Sequence, residues 1–209
     1  MFISFEGIDG SGKSTQARLL AEALRKEGLD VVLTREPGGS TGAEEIRALV
    51  LQGEPDRWSA HTELLLFTAA RRDHMERVIT PALEAGKVVI CDRFADSTRM
   101  YQGLSRGDIR GLVDRLHDMM IGREPDLTFL IDIDPAVGLA RAKGRQGIEE
   151  RFEDFGLDLQ KKMRAGFIDL SHDYPDRFRT INGGRDPELV AADVLRYTRE
   201  MAAELQKGA

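Results

Sequence analysis

One cysteine, Cys91, is all that the chain contains. No intramolecular disulfide can therefore form, and the composition suits a reducing cytoplasm. The four histidines, His61, His74, His117 and His172, fall in no Cys/His spacing that would build a zinc site. No apolar run approaches the ~20 residues of a membrane span, and the opening stretch reaches the acidic Glu6 too soon to read as a signal peptide. Positive charge is also in deficit, with 30 Lys plus Arg against 36 Asp plus Glu and a net charge of −6. General attraction to nucleic acid or to an acidic membrane is thereby excluded, and any phosphate recognition must be local. No repeat, low-complexity tract or linker interrupts the 209 residues, so one compact domain spanning 1–209 is expected.

What is present is concentrated near the start. Gly7-Ile8-Asp9-Gly10-Ser11-Gly12-Lys13-Ser14 fits G-x-x-x-x-G-K-[ST], the phosphate-binding P-loop. Its glycines let backbone N–H groups turn inward around phosphate oxygens, Lys13 adds charge near the β/γ-phosphates, and the Ser14 hydroxyl is placed to ligate Mg²⁺. The β-prone run Phe2-Ile3-Ser4-Phe5-Glu6 precedes it. Ala17, Leu20, Ala21 and Leu24 mark one helical face after it, closed by Gly28. Strand, loop and helix follow in the order the motif requires, and the helix N-terminus adds its dipole to the site. Gly7 to Thr15, with Thr15 in the first helical turn, is the expected ATP-binding segment.

Further strands are predicted at Asp30–Thr34, Lys87–Asp92, Leu127–Ile131 and Phe178–Ile181. Helices are predicted over Thr41–Leu51 with Ile46, Leu49 and Val50 inward, from about Ser59 toward Gly86, from an Asp108 cap to Gly122, after Asp134-Pro135, over Leu157–His172 and over Pro187–Gln206. Residues 94–107 contain the polar cluster Ser97-Thr98-Arg99, then Tyr101-Gln102-Gly103, without an assigned element. Alternating strands and helices predict a parallel sheet covered on both faces, with ligands at the carboxyl ends of the strands. Glu36, Asp92, Arg93 and the P-loop all fall at such ends. Asp92, the acid that terminates an apolar strand, is the expected second metal residue, through water. Phe67 and Arg71 stand four apart and share a helical face. Arg141, Lys143, Arg145 and Arg151 crowd a glycine-containing stretch, which reads as a lid over phosphates at about 142–154.

The P-loop followed by Arg35-Glu36-Pro37-Gly38-Gly39, Leu65-Leu66-Phe67-Thr68-Ala69-Ala70-Arg71, Asp92-Arg93-Phe94, and Ser97-Thr98 ahead of Tyr101-Gln102-Gly103 resembles thymidylate kinase over nearly the whole chain. The resemblance implies a three-layer P-loop kinase fold with a five-stranded parallel sheet and a short lid. It also implies Mg²⁺- and ATP-dependent conversion of dTMP to dTDP by a cytoplasmic homodimer. Implied with it are Phe67 stacking on thymine, Arg71 bonding the base, Thr98 and Gln102 near its polar edge, and Arg47 and Arg93 near the dTMP phosphate. Asp9 would approach the deoxyribose 3′-hydroxyl, with Glu36 nearby. Gly10 follows Asp9 where some members carry a basic residue, so the chain resembles the bacterial variety in which lid arginines, here Arg145 and Arg151, join Lys13 and Arg93 in catalysis. Arg99 and Met100 depart from the family pattern. The rival readings are another P-loop nucleoside or nucleotide kinase, a GTPase, disfavoured because no Asn-Lys-x-Asp occurs, and a regulator that holds ATP without turnover.

Overall fold

The structure, a computed structural model, describes residues 1–54, 57–104, 107–144 and 156–208. Strands β1 (Phe2–Glu6), β2 (Val31–Arg35), β3 (Val88–Asp92), β4 (Leu127–Asp132) and β5 (Phe178–Asn182) form one parallel sheet in the order β2-β3-β1-β4-β5. The helices are α1 (Lys13–Lys26), α2 (Thr41–Leu51), α3 (Ala60–His74), α4 (Thr80–Glu84), α5 (Ala95–Tyr101), α6 (Arg110–Met120), α7 (Pro135–Lys143), α8 (Leu157–Asp173) and α9 (Pro187–Gly208). A π-helical turn, Met75–Ile79, joins α3 to α4. Among the described residues no helix is long and apolar enough to cross a membrane.

The sheet is buried on both faces, which explains why its strands read as nearly continuous apolar runs. Ile3 and Phe5 of β1 point toward α1 and α9, where they meet Leu20, Leu24, Val190 and Val194. The opposite face carries two clusters. Phe2, Val89, Ile79 and Phe94 bring in the α3–α4 region, while Leu130, Met100, Met163 and Phe167 bring in α5 and α8. Each fully buried Phe or Leu contributes about 1.5–3 kcal/mol relative to exposure, so these clusters anchor the helices. The period of two puts Phe2, Ser4 and Glu6 on one face of β1. Ser4 is satisfied there by Thr128 at 2.9 Å.

Most predicted elements appear within one or two residues of their expected ends. Ser59 caps α3 by accepting the Thr62 N–H, and Asp134 caps α7 by accepting from Ala136 and Val137. Three expectations need correction. Residues 95–101, which hold the polar cluster Ser97-Thr98-Arg99 and have no element assigned from the sequence, form α5 with all seven residues buried, because their polar groups are paired inside the fold. The N-cap of α6 is Ile109, with no side-chain hydrogen bond, so Asp108 does not cap it. Leu49 is exposed, and Ala43 and Val50 form the buried positions of α2. The expected lid falls almost wholly on 145–155, outside the described residues.

Candidate active site

All five strands run parallel, so the turns after β1, β2 and β3 gather at one edge of the sheet. They enclose a cavity of about 380 Å³. Its walls include Asp9, Gly10, Gly12, Lys13 and Ser14 on one side, and Glu36, Arg47, Phe67, Arg71, Thr98 and Gln102 on the other, with Asp92 and Arg93 also lining it. Gly7, Ile8, Ser11 and Thr15 belong to the same loop and first turn without lining the cavity.

The P-loop end depends on backbone geometry. Gly12 is the N-cap of α1 at φ 102°, and Gly10 has φ 73°. A Cβ at Gly10 would stand 2.0 Å from the carbonyl oxygen of Gly138, so the loop packs backbone to backbone on α7. Lys13 is buried and donates from Nζ to the Ile8 carbonyl at 2.7 Å. Burial, then the Arg93 charge, pushes its pKa down to about 8, while Asp9, Asp92 and Glu6 oppose the change. A phosphate anion in the loop would favour the charged form again. The Ser14 hydroxyl belongs to an exposed residue in the first turn of α1.

The opposite end is wired through side chains. Glu36 Oε2 accepts Arg71 Nε at 2.7 Å, and Oε1 pairs with His74 Nδ1 at 3.0 Å. His74 Nε2 pairs with Thr34 Oγ1 at 2.7 Å, and Arg71 Nη2 donates to Thr98 Oγ1 at 2.9 Å. Arg71 also lies over the Phe94 ring at 5.0 Å. Burial raises the Glu36 pKa, but Arg71 and His74 outweigh it and hold the carboxyl below its ordinary value. Gln102 donates to Glu63 at 3.4 Å, and Arg47 donates to the Pro37 carbonyl at 2.6 Å. The Glu36–Pro37 peptide bond is cis. Half-buried Phe67 precedes Arg71 by one turn and lines the same cavity.

Between the ends stands Arg93, whose backbone has φ 69°, a region that non-glycine residues enter at a cost. Its N–H is bonded to the Phe5 carbonyl at 3.0 Å, and its own carbonyl accepts from Cys91 Sγ. Its guanidinium pairs with Asp9 at 2.5 Å and donates to Ser97 at 3.1 Å. Tyr101 donates to Asp9 Oδ2 at 2.8 Å, and Gln160 of α8 approaches the same oxygen at 3.4 Å. Burial would raise the Asp9 pKa, but Arg93 and Lys13 draw it below its ordinary value.

Two metal questions arise. Asp92 Oδ1 is buried and has no hydrogen-bond partner, and Asp92 shares the cavity wall with Ser14. This hard oxygen pair fits Mg²⁺. Glu36, His74 and Cys91 also bring ligand atoms within 4.8 Å of one another. There the chemistry argues for a hydrogen-bond relay instead. Both Glu36 oxygens are engaged, and burial raises the Cys91 pKa so far that it remains a thiol donor.

The structure brings together Asp9, Lys13, Ser14, Glu36, Arg47, Phe67, Arg71, Asp92, Arg93, Thr98 and Gln102. Arg145 and Arg151 lie outside the described residues. Glu6, His74, Ser97, Tyr101 and Gln160 were not assigned roles from the residues. Ser97 and Tyr101 stand in the motif that carries the resemblance, and Glu6 is the one acid in its strand.

A parallel sheet with a P-loop after its central strand, facing a walled second subsite, defines a P-loop nucleotide kinase. The thymidylate kinase family model matches residues 5–194. The chain is 76% identical over 194 residues to thymidylate kinase from Ruegeria pomeroyi, covering 93% of this chain and 92% of that relative. It is 65% identical over 195 residues to the Dinoroseobacter shibae thymidylate kinase, covering 93% and 94%. The crystal structure of thymidylate kinase from Ehrlichia chaffeensis superposes with a TM-score of 0.78 at 39% identity, covering 95% of this chain and 98% of that one. The chain belongs to the thymidylate kinase family. Its reaction is phosphorylation of dTMP to dTDP, with ATP as donor and Mg²⁺ as cofactor.

Proposed function

We propose that the P-loop end of the cavity takes the ATP phosphates and the Glu36–Arg71–Thr98 end takes dTMP, so that the γ-phosphoryl group crosses beside Arg93. The observation that carries this reading is that the wall of one cavity includes both the P-loop and Phe67 with Arg71. Gly7 to Thr15 form the donor loop, with Lys13 at the β/γ-phosphates. Ser14 and Asp92 would hold Mg²⁺, which when bound neutralises charge on the phosphates. Arg93 and Arg47 hold the acceptor phosphate, Phe67 stacks on thymine, and Arg71, Thr98 and Gln102 meet its polar edge. Asp9, with Glu36 nearby, meets the deoxyribose 3′-hydroxyl. These groups position the two nucleotides and stabilise charge, which is most of what phosphoryl transfer requires. Arg145 and Arg151 supply further charge from a lid at 142–154 of a single domain, and the enzyme acts as a cytoplasmic homodimer.

ADP release, measured with dTMP and then with other nucleoside monophosphates, tests the reading. Turnover should require dTMP. Equal release without an acceptor would overturn the two-subsite arrangement, and faster release with a different monophosphate would overturn the assignment of the base contacts.

A further inference from the structure

The transfer chemistry leaves one carboxyl at its centre without a role. Glu6 is the last residue of β1, fully buried, immediately before the P-loop. Its Oε1 accepts the Phe94 N–H at 2.8 Å, and its Oε2 accepts the Ser97 hydroxyl at 2.6 Å. Phe94 is the N-cap of α5 and supplies no side-chain cap of its own. Ser97 Oγ in turn accepts from Arg93 Nη1 at 3.1 Å. One carboxyl thus fixes the start of the helix that carries Thr98 and Tyr101, and through Ser97 it touches the guanidinium between the subsites.

We propose that Glu6 is a positioning residue whose ionised carboxylate keeps Ser97 an acceptor toward Arg93 and so aims Arg93 at the acceptor phosphate. This rests on the placement of Arg93 argued above. An ionised carboxylate can only accept, so it draws the Ser97 hydroxyl proton to itself and leaves the serine lone pairs to Arg93. A protonated carboxyl can donate instead, and the hydroxyl is then free to turn.

Charged and titratable groups face Glu6 from several elements: Lys13 from α1, Cys91 from β3, Arg93 from the turn after β3, and Asp96 from α5. Burial first, then Asp96, raises the Glu6 pKa to about 7, against the opposing Ser97, Arg93 and Phe94 contacts. The folded value lies above the ordinary 4.5, so the native state binds the extra proton. Stability linked to Glu6 is therefore full below 4.5 and is lost as pH rises through about 7. Packing alone would favour a neutral side chain here. A positioning role accounts for a carboxylate kept despite that loss.

The test measures kcat/KM for dTMP and KM for ATP in wild type, Glu6→Gln and Ser97→Ala, from about pH 5.5 to about pH 8, with thermal midpoints as a folding control. Glutamine keeps an acceptor for Phe94 but cannot carry the charge. At about pH 8 Glu6→Gln should lower kcat/KM for dTMP roughly ten- to a hundredfold, with KM for ATP little changed and a thermal midpoint no lower than wild type. The wild-type-to-variant ratio should then fall toward one as pH drops below 7, because the wild-type carboxyl also becomes neutral. Using the ratio cancels the titration of the dTMP phosphate. Ser97→Ala removes the relay, leaves the Phe94 bond, and should show the same split between dTMP and ATP. A ratio independent of pH, or equal losses for both nucleotides, overturns the proposal in favour of packing. Arg93→Ala separates the two layers of the argument. An unchanged KM for dTMP in that variant sinks the placement of Arg93 and this proposal together, whereas a raised KM beside a pH-independent Glu6→Gln ratio sinks only the Glu6 coupling.

Discussion

The two ends of the cleft solve phosphate and nucleoside recognition by different means. At the P-loop, consecutive residues supply the geometry: positive φ at Gly10 and Gly12, the first turn of α1, and Lys13 folded back onto the Ile8 carbonyl. At the other end, the working groups come from β2, α3 and α5 and are joined before any substrate arrives. The chain Thr34–His74–Glu36–Arg71–Thr98 joins distant parts of the sequence through four contacts. A compact tetrahedral phosphate, charged on several oxygens, can be held by backbone amides and a point charge. A planar base with a directional edge needs side chains fixed in advance, and fixing them requires buried pairs.

The strongest way to break this comparison is Lys13→Ala. If the donor end relies on this single buried ammonium, kcat should fall roughly 10²–10³-fold, the scale of losing one preorganised electrostatic contact. Direct binding of dTMP should change little. Near wild-type kcat would show that the backbone loop suffices without the charge.

Those two modes of construction also explain what could be read from the chain. The P-loop was legible because its parts are contiguous and its flanking strand and helix have clear periods. The sheet was legible because both faces are buried, leaving apolar runs at β1, β3 and β4. Helix α5 was not, since Asp96, Ser97 and Arg99 look like surface residues. Only the fold reveals that Asp96 pairs with Arg99 at 2.7 Å and Arg177 at 2.6 Å, and that Arg99 also reaches Asp114 and Glu124. His74 shares a helical face with Arg71, three residues earlier, but its partners Glu36 and Thr34 lie 38 and 40 positions away. The Arg93 backbone at φ 69° leaves no trace in residue type, because the carbonyl that holds its N–H, that of Phe5, belongs to another strand.

A middle-sized effect is expected from Glu36→Gln, which tests whether the acceptor end is preorganised by charge. Glu36 and Arg71 are both about 4% exposed, so removing the carboxylate leaves a buried guanidinium without its ion-pair partner. Breaking such a pair from one side destabilises by about 3–5 kcal/mol. The folded-state pKa of Glu36 is lowered, so its contribution is present above its ordinary value of 4.5 and is lost as pH falls below that value, through the lower folded-state pKa. Thermal midpoints should therefore differ most near neutral pH and converge on acidification. At neutral pH, kcat/KM for dTMP should also fall, roughly tenfold or more, as Arg71 loses its aim. A stability gap that persists unchanged into acid would remove the charge argument and leave only shape.

Phe67→Ala is the smallest of the three changes and the one that divides the two ends most cleanly. Phe67 is half-buried, one turn before Arg71, with its side chain in the cavity wall. Truncating it should leave the preorganised charges in place and remove a flat surface alone. Stacking of a base on an aromatic ring is worth about 1–3 kcal/mol, and a ring already half covered by protein, contacting one face of the base, belongs in the lower part of that range. The expected result is a roughly five- to thirtyfold weaker affinity for dTMP, measured by calorimetry, with ATP affinity unchanged. The loss should also be smaller for a pyrimidine monophosphate that the charged groups reject, because that ligand never seats its base on the ring. If ATP weakens as much as dTMP, Phe67 supports the whole cleft instead of one end, and the division between a backbone-built donor site and a side-chain-built acceptor site does not hold at this position.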